Sequence, residues 1–319
     1  MVISAIGLQP AAAQQPSPGA ITFRKLFDAG APPAPVAYVP GGGLDQSLYC
    51  FPPTGAAGAP RPAIVLIHGG AWVGGSAEVF FPLAHYFASR GAVAFSINYR
   101  LVTKDGPSME DCVTDCRAAL AYIRAHAAEL GVDPNHIAVL GDSAGGHLAA
   151  VLATGAGSQP PTAADLPPNA AVLCNAITDM TDGDWMKFVI RGAALERNAP
   201  PSAKVPTPEQ LDLAKKLSPL TFAKAGLPPM LIMHGTDDKI VPAAQASAFA
   251  DAVTKAGNHC ELVLIPHGRH AFILPKYSAS EGVVVDAVRR ADTFLAGLGF
   301  LQGPPTLEVS TPPLWVGKY

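Results

Sequence analysis

The strongest constraint on the fold of this chain is one junction: a short apolar run, 137–140, meets Gly141-Asp142-Ser143-Ala144-Gly145-Gly146 and passes into the Ala- and Leu-rich letters of 147–154, which favour helix. It reads as a strand, a sharp turn and a helix. The same rhythm recurs on both sides. Apolar strand-length runs at 63–67, 92–97, 170–174, 230–233 and 261–265 alternate with helical patterns at 80–89, 109–128 and 243–255, and a closing helix falls within 277–298. Gly91 stops the first helix, Ser108 is the expected N-cap of the second with Asp111 in its first turn, and Gly131 and Pro134 end that unit. Before them, 36–39 and 47–51 flank Gly41-Gly42-Gly43 as a hairpin. The expected fold is α/β: a mostly parallel central sheet with helices on both faces.

At 319 residues, 49% hydrophobic and 15% charged, the chain suits one catalytic-sized domain, here 21–300, preceded by a flexible 1–20 and followed by an extended, Pro-rich 301–319. The stretch 178–218 carries Trp185, Met186, Phe188, Val189 and Ile190 among charges and prolines, and reads as an inserted cap or lid. A formal charge of −3 without a dense Lys/Arg run leaves no footprint for nucleic acid or an anionic membrane surface. No run has the ~20 apolar residues needed to span a bilayer. The first eight residues, followed by Ala11-Ala12-Ala13-Gln14, resemble the end of an export signal but lack a basic start. A periplasmic or secreted location is favoured over a cytoplasmic one.

Five cysteines, Cys50, Cys112, Cys116, Cys174 and Cys260, fit neither a metal spacing nor a dense disulfide framework. Cys112 and Cys116 share a helix face and are poorly placed to bridge each other, which leaves a bridge from one of them to Cys50 open. No histidine shows metal spacing either, so neither metal nor cofactor is expected. Oligomeric state is not legible.

Chemistry concentrates just past the carboxyl ends of strands, where open α/β sheets bind ligands. Gly141-Asp142-Ser143-Ala144-Gly145 has the small neighbours that a nucleophile elbow needs to turn tightly, and the helix start beneath Ser143 favours negative charge. A serine hydroxyl needs a base in hydrogen-bond reach and a third group to hold that base. The run 230–233 leads into His234-Gly235-Thr236-Asp237-Asp238, and 261–265 into Pro266-His267-Gly268-Arg269-His270. Spacing alone leaves Asp237 and Asp238 open, and likewise His267 and His270; Asp179, after another strand, is a further candidate acid.

In these motifs the sequence resembles the α/β-hydrolase esterases, particularly the hormone-sensitive-lipase-like group and the related acetyl- and feruloyl-esterase-type enzymes, over roughly 63–298. The resemblance implies a triad of Ser143 as nucleophile, Asp238 as acid and His270 as base. His68-Gly69-Gly70-Ala71 is similar to the family's HGGG oxyanion loop, with Ala71 in place of the last glycine. By analogy the oxyanion donors are the N–H groups of Gly70, Ala71 and Ala144, Trp72 lines the pocket, and Asn98-Tyr99-Arg100 braces the loop. The expected activity is a serine carboxylesterase on small-molecule short-acyl or aryl-acyl esters, among them acetyl or feruloyl esters of plant polysaccharide. Two rivals share the fold: amide hydrolysis of the arylformamidase or peptidase type, and a non-catalytic binding protein, which predicts a missing triad member.

Overall fold

The computed structural model describes residues 20–53, 58–157, 166–196 and 198–317. The N-terminal extension with its export-signal reading falls, Ala20 apart, outside the described residues. In chain order the strands and helices are β1 (Ile21–Thr22), α1 (Phe23–Phe27), β2 (Val36–Ala37), β3 (Ser47–Phe51), β4 (Arg61–Ile67), α2 (Phe81–Ser89), β5 (Val93–Ile97), α3 (Met109–Ala125), α4 (Ala127–Leu130), β6 (Val132–Asp142) and α5 (Ala144–Thr154). They continue with β7 (Ala170–Cys174), α6 (Met186–Ile190), α7 (Pro208–Leu217), β8 (Met230–Gly235), α8 (Ala243–Lys255), β9 (Cys260–Ile265), α9 (Glu281–Gly297) and β10 (Leu307–Glu308).

Among the described residues, eight strands make one sheet in the order β2-β3-β5-β4-β6-β7-β8-β9. The expected hairpin supplies its antiparallel edge, β2 on β3 and β3 on β5; from β5 onward every pairing is parallel. The runs 63–67, 137–140, 170–174 and 230–233 of the inner parallel strands are apolar throughout because both of their faces are covered. Along β4, Ala63, Val65 and Ile67 enter one core with α3, α5 and α8, while Ile64 and Leu66 enter the other with α1, α2 and α9. That split is the period of two written into a continuous apolar run.

Local signals set the helix ends. Ser108 caps α3 through a reciprocal box: its Oγ accepts from the N–H of Asp111 at 3.3 Å, and the Asp111 carboxylate accepts from the N–H of Ser108 at 2.8 Å. Thr207 and Gln210 build the same box on α7, with Pro208 as the first helical residue. The expected cap stretch holds α6 and α7. Its two ends are laced together where Leu220 N–H donates to Thr178 C=O at 3.0 Å and Met180 N–H to Ser218 Oγ at 2.8 Å.

Three features depart from the sequence reading. All five cysteines are free thiols, so no bridge joins Cys50 to α3. The strand expected at 137–140 begins earlier, at Val132. The C-terminal segment is docked rather than merely extended: β10 pairs in parallel with β1, and Leu307 is fully buried. No helix among the described residues is long and apolar enough to cross a membrane, and no cluster of metal-ligating side chains occurs among them.

Candidate active site

Ser143 sits between β6 and α5 with φ 56° and ψ −120°, a conformation that L residues avoid at a cost of about 1–3 kcal/mol. The surroundings impose it. The Ser143 N–H donates to Cys174 C=O at 2.9 Å and its own carbonyl accepts from His147 N–H at 2.9 Å, so neighbouring strand and following helix both hold the turn. The turn closes only on glycines: a Cβ on Gly141 would collide with the carbonyl of Gly145, and one on Gly145 with the carbonyl of Ile67 at the end of β4.

Two loops beyond neighbouring strand ends bring the partners. After β9, His270 lies with Nε2 2.8 Å from Ser143 Oγ and Nδ1 2.7 Å from Asp238 Oδ2. After β8, Asp238 uses its other oxygen, Oδ1, to accept from the N–H groups of Ile240 at 2.8 Å and Val241 at 2.9 Å. One carboxylate oxygen is thus fixed by backbone and the other is aimed at the imidazole. Asp237 turns outward, its carboxylate 3.4 Å from Nδ1 of His267 on an exposed rim. Asp179 is also elsewhere: it accepts from the N–H and hydroxyl of Thr181 and anchors the start of the cap stretch.

Burial alone would raise Asp238, but hydrogen bonds from His234 and His270 and the charge of His270 outweigh it and hold the carboxyl well below the usual range. For His270 the order is the same. Burial favours the neutral ring, yet the hydrogen bond to Asp238 and the charges of Asp142 and Asp238 raise its pKa above the ordinary 6.5. Asp142, fully enclosed under the elbow, is pushed up to about 6 by burial, partly countered by His270 and by Asn175.

The loop after β4 lies over the elbow. A Cβ on Gly69 would fall 2.8 Å from Asp142 C=O and 3.1 Å from Ser143 Cβ. Gly70, Ala71 and Trp72 all take positive φ, 117°, 53° and 60°. Among the described backbone bonds, the N–H groups of Gly70 and Ala71 have no acceptor, and that of Ala144, first in α5, has no partner inside its helix. The loop is braced from behind: Tyr99 donates its hydroxyl to His68 C=O at 2.9 Å and stacks on the His68 ring at 4.4 Å, and Val102 N–H donates to Trp72 C=O at 2.8 Å. Burial lowers His68 to about 4, so this ring is neutral.

Trp72, expected on the pocket wall, is instead wholly enclosed. Its ring meets His147 of α5 at 5.2 Å, Phe188 at 5.0 Å and Trp185 at 6.1 Å. Aromatic residues of the cap stretch cover it, which the sequence could not show because they lie over a hundred positions away. One polar residue also escaped notice. Asn175 accepts from Gly235 N–H at 3.1 Å and reaches Asp142 at 3.5 Å, joining the ends of β6, β7 and β8; a lone polar letter after an apolar strand was the only signal. His234, the first residue after the apolar run 230–233, donates Nε2–H to Val241 C=O at 2.9 Å and stands 3.4 Å from Asp238 Oδ2.

A parallel sheet with a serine on a strained strand-to-helix turn, and with acid and histidine on the loops after later strands, defines the α/β-hydrolase class. Residues 50–253 match the family described as BD-FAE, and residues 214–302 match the dienelactone hydrolase family. The chain belongs to the BD-FAE family of α/β-hydrolases. It is 30% identical to Esterase LipQ of Mycobacterium tuberculosis over 87% of this chain and 66% of that protein, and 31% identical to Carboxylesterase NlhH of the same organism over 72% and 74%. The chain spans about half to two thirds of the length of LipQ, LipM and LipC. Among solved structures, the propionate-bound esterase Est2 of Thermogutta terrifontis is 34% identical, with a TM-score of 0.71, covering 85% of this chain and 96% of that one.

Proposed function

We propose that the protein is a serine carboxylesterase that cleaves short-acyl or aryl-acyl esters through an acyl-enzyme on Ser143. The observation that carries this reading is the unbroken hydrogen-bonded line Ser143–His270–Asp238, 2.8 and 2.7 Å, at the carboxyl end of the sheet. Ser143 Oγ attacks the ester carbonyl as His270 Nε2 takes its proton, and Asp238 stabilises the imidazolium. The N–H groups of Gly70, Ala71 and Ala144 receive the oxyanion. The tetrahedral species collapses, His270 returns the proton to the departing alcohol, and water repeats the sequence on the acyl-enzyme to release the acid.

The ionisation of His270 sets the pH dependence. A raised pKa means that the neutral, working base appears only as pH climbs past a value above 6.5. A plot of kcat/KM against pH for a soluble p-nitrophenyl ester should therefore rise through one ionisation whose midpoint lies above 6.5. A profile flat from pH 5 to about 9, in a chain that stays folded, would count against His270 as base.

Acyl size follows from what fills the space behind the oxyanion loop. Trp72, Phe188 and Trp185 pack as one aromatic block there, and that filled space supports a preference for short acyl groups, acetyl to butyryl. The similar Thermogutta terrifontis esterase has been solved bound to propionate and to butyrate. Each methylene gains at most about 0.8 kcal/mol, roughly fourfold in kcat/KM, where a pocket buries it. The expected result is that kcat/KM falls from p-nitrophenyl butyrate to octanoate and palmitate; an optimum at octanoate or longer would refute the short pocket.

A further inference from the structure

Residues 303–317 lie outside both family matches, yet they reach the loop that carries His270. Their start is fixed to the body: Arg90 donates to Gly303 C=O at 2.8 Å and β10 pairs with β1. Their middle is gripped by one buried carboxylate, Glu281 at the start of α9. Its Oε1 accepts from Ser310 N–H at 2.9 Å and its Oε2 from Leu314 N–H at 2.5 Å. Both donors are backbone groups of this segment, so Glu281 holds its path.

The segment then touches the loop. The indole N–H of Trp315 donates to Ala279 C=O at 2.9 Å, and the Glu281 N–H donates to Trp315 C=O at 3.4 Å. The Trp315 ring stands edge-on to Phe23 at 5.3 Å and Phe27 at 6.3 Å, and Lys276 of the loop sits 3.9 Å over the Phe27 ring. One residue before Ala279, Ser278 donates its hydroxyl to the carbonyl of His270 itself at 2.7 Å. The run of contacts is therefore continuous from Glu281 through Trp315, Ala279 and Ser278 to His270. The loop needs such support, because His267, Ala271 and Lys276 all hold positive φ, 56°, 59° and 62°, which an unrestrained chain would relax.

We propose that residues 303–317 form a strap that positions the His270 loop, with Trp315 and Ser278 as positioning residues for the base. The proposal rests on the esterase reading for its effect on turnover, but not for its effect on the loop. A shift of His270 by about 1 Å would cost up to 10²-fold in rate without altering the oxyanion loop or the acyl side, so the strap acts on kcat rather than on KM.

The test compares Trp315→Ala, Ser278→Ala and Ser278→Thr with the parent chain by amide hydrogen exchange and by kcat and KM per titrated serine on p-nitrophenyl butyrate. Trp315→Ala is expected to speed exchange across 270–280, leave β6 and α5 unchanged, and lower kcat about tenfold with KM within about twofold. Ser278→Ala should lower kcat with the tail still protected, and Ser278→Thr should restore it by keeping the hydroxyl. Unchanged exchange in 270–280 overturns the strap, and so does a lower melting temperature with undiminished kcat per active site. A parent that loosens in this way on Trp315→Ala but turns over no ester overturns the esterase reading and leaves the strap standing.

Discussion

Ser143→Ala is expected to lower kcat on p-nitrophenyl acetate or butyrate by on the order of 10⁴ to 10⁶ while the chain folds as before. The fold should survive because the one described side-chain bond of Ser143 is the 2.8 Å contact to His270, and the turn is held by main-chain bonds to Cys174 and His147 that alanine keeps. Alanine inherits the positive φ without added bulk, so the melting temperature should move by only a few degrees. Activity should collapse because the attacking atom is gone and only the N–H groups around the oxyanion remain to help a water molecule. The check is kcat on the purified variant together with a fluorophosphonate probe, which should label the parent once per chain and the variant not at all. Labelling that persists in Ser143→Ala would place the nucleophile elsewhere.

The inner strands of the sheet were legible because they are buried on both faces. Runs such as 63–67 and 170–174 need no alternation, and each ends in a turn signal that dates the next element. The elbow was legible for the same reason that it works: only small residues fit where Gly145 meets the carbonyls of Ile67 and His68. What the letters could not decide was which of two adjacent residues points inward. Asp237 and Asp238 follow the same strand, and their difference lies in the turn back to Val241 that faces one carboxylate with two N–H groups. The strands β1 and β10 were missed because each has two residues and its partner lies at the other end of the chain. Trp72 was misplaced because its cover comes from the cap stretch, whose path no local pattern fixes. Glu281 and Asn175 show the same limit. A buried polar residue is recognised by its partners, and those are tertiary.

Asp238→Asn and Asp237→Asn, one residue apart, should differ in kcat by about 10⁴. The hydrogen bonds dictate the direction. In Asp238 the oxygen Oδ1 faces the N–H groups of Ile240 and Val241, so an asparagine must keep its carbonyl there, since an amide NH₂ would point donors at donors. Its NH₂ then occupies the place of Oδ2 and donates to Nδ1 of His270, which forces the ring proton onto Nε2. A protonated Nε2 cannot accept from Ser143 Oγ, and the imidazolium that would form has lost its counter-charge. Asp237→Asn disturbs exposed 3.4 Å contacts to His267 and to the Thr236 hydroxyl, an ion pair of that kind being worth at most about 1 kcal/mol, and leaves His270 untouched. The pH dependence of stability gives a second handle. Asp238 is depressed in the folded chain, so its stabilisation is present above the ordinary carboxylate pKa of 3.8 and fades as pH falls. Asp238→Asn should flatten that acid limb in a melting series, and Asp237→Asn should not. Equal losses of kcat in the two variants would mean that the acid of the triad is not Asp238.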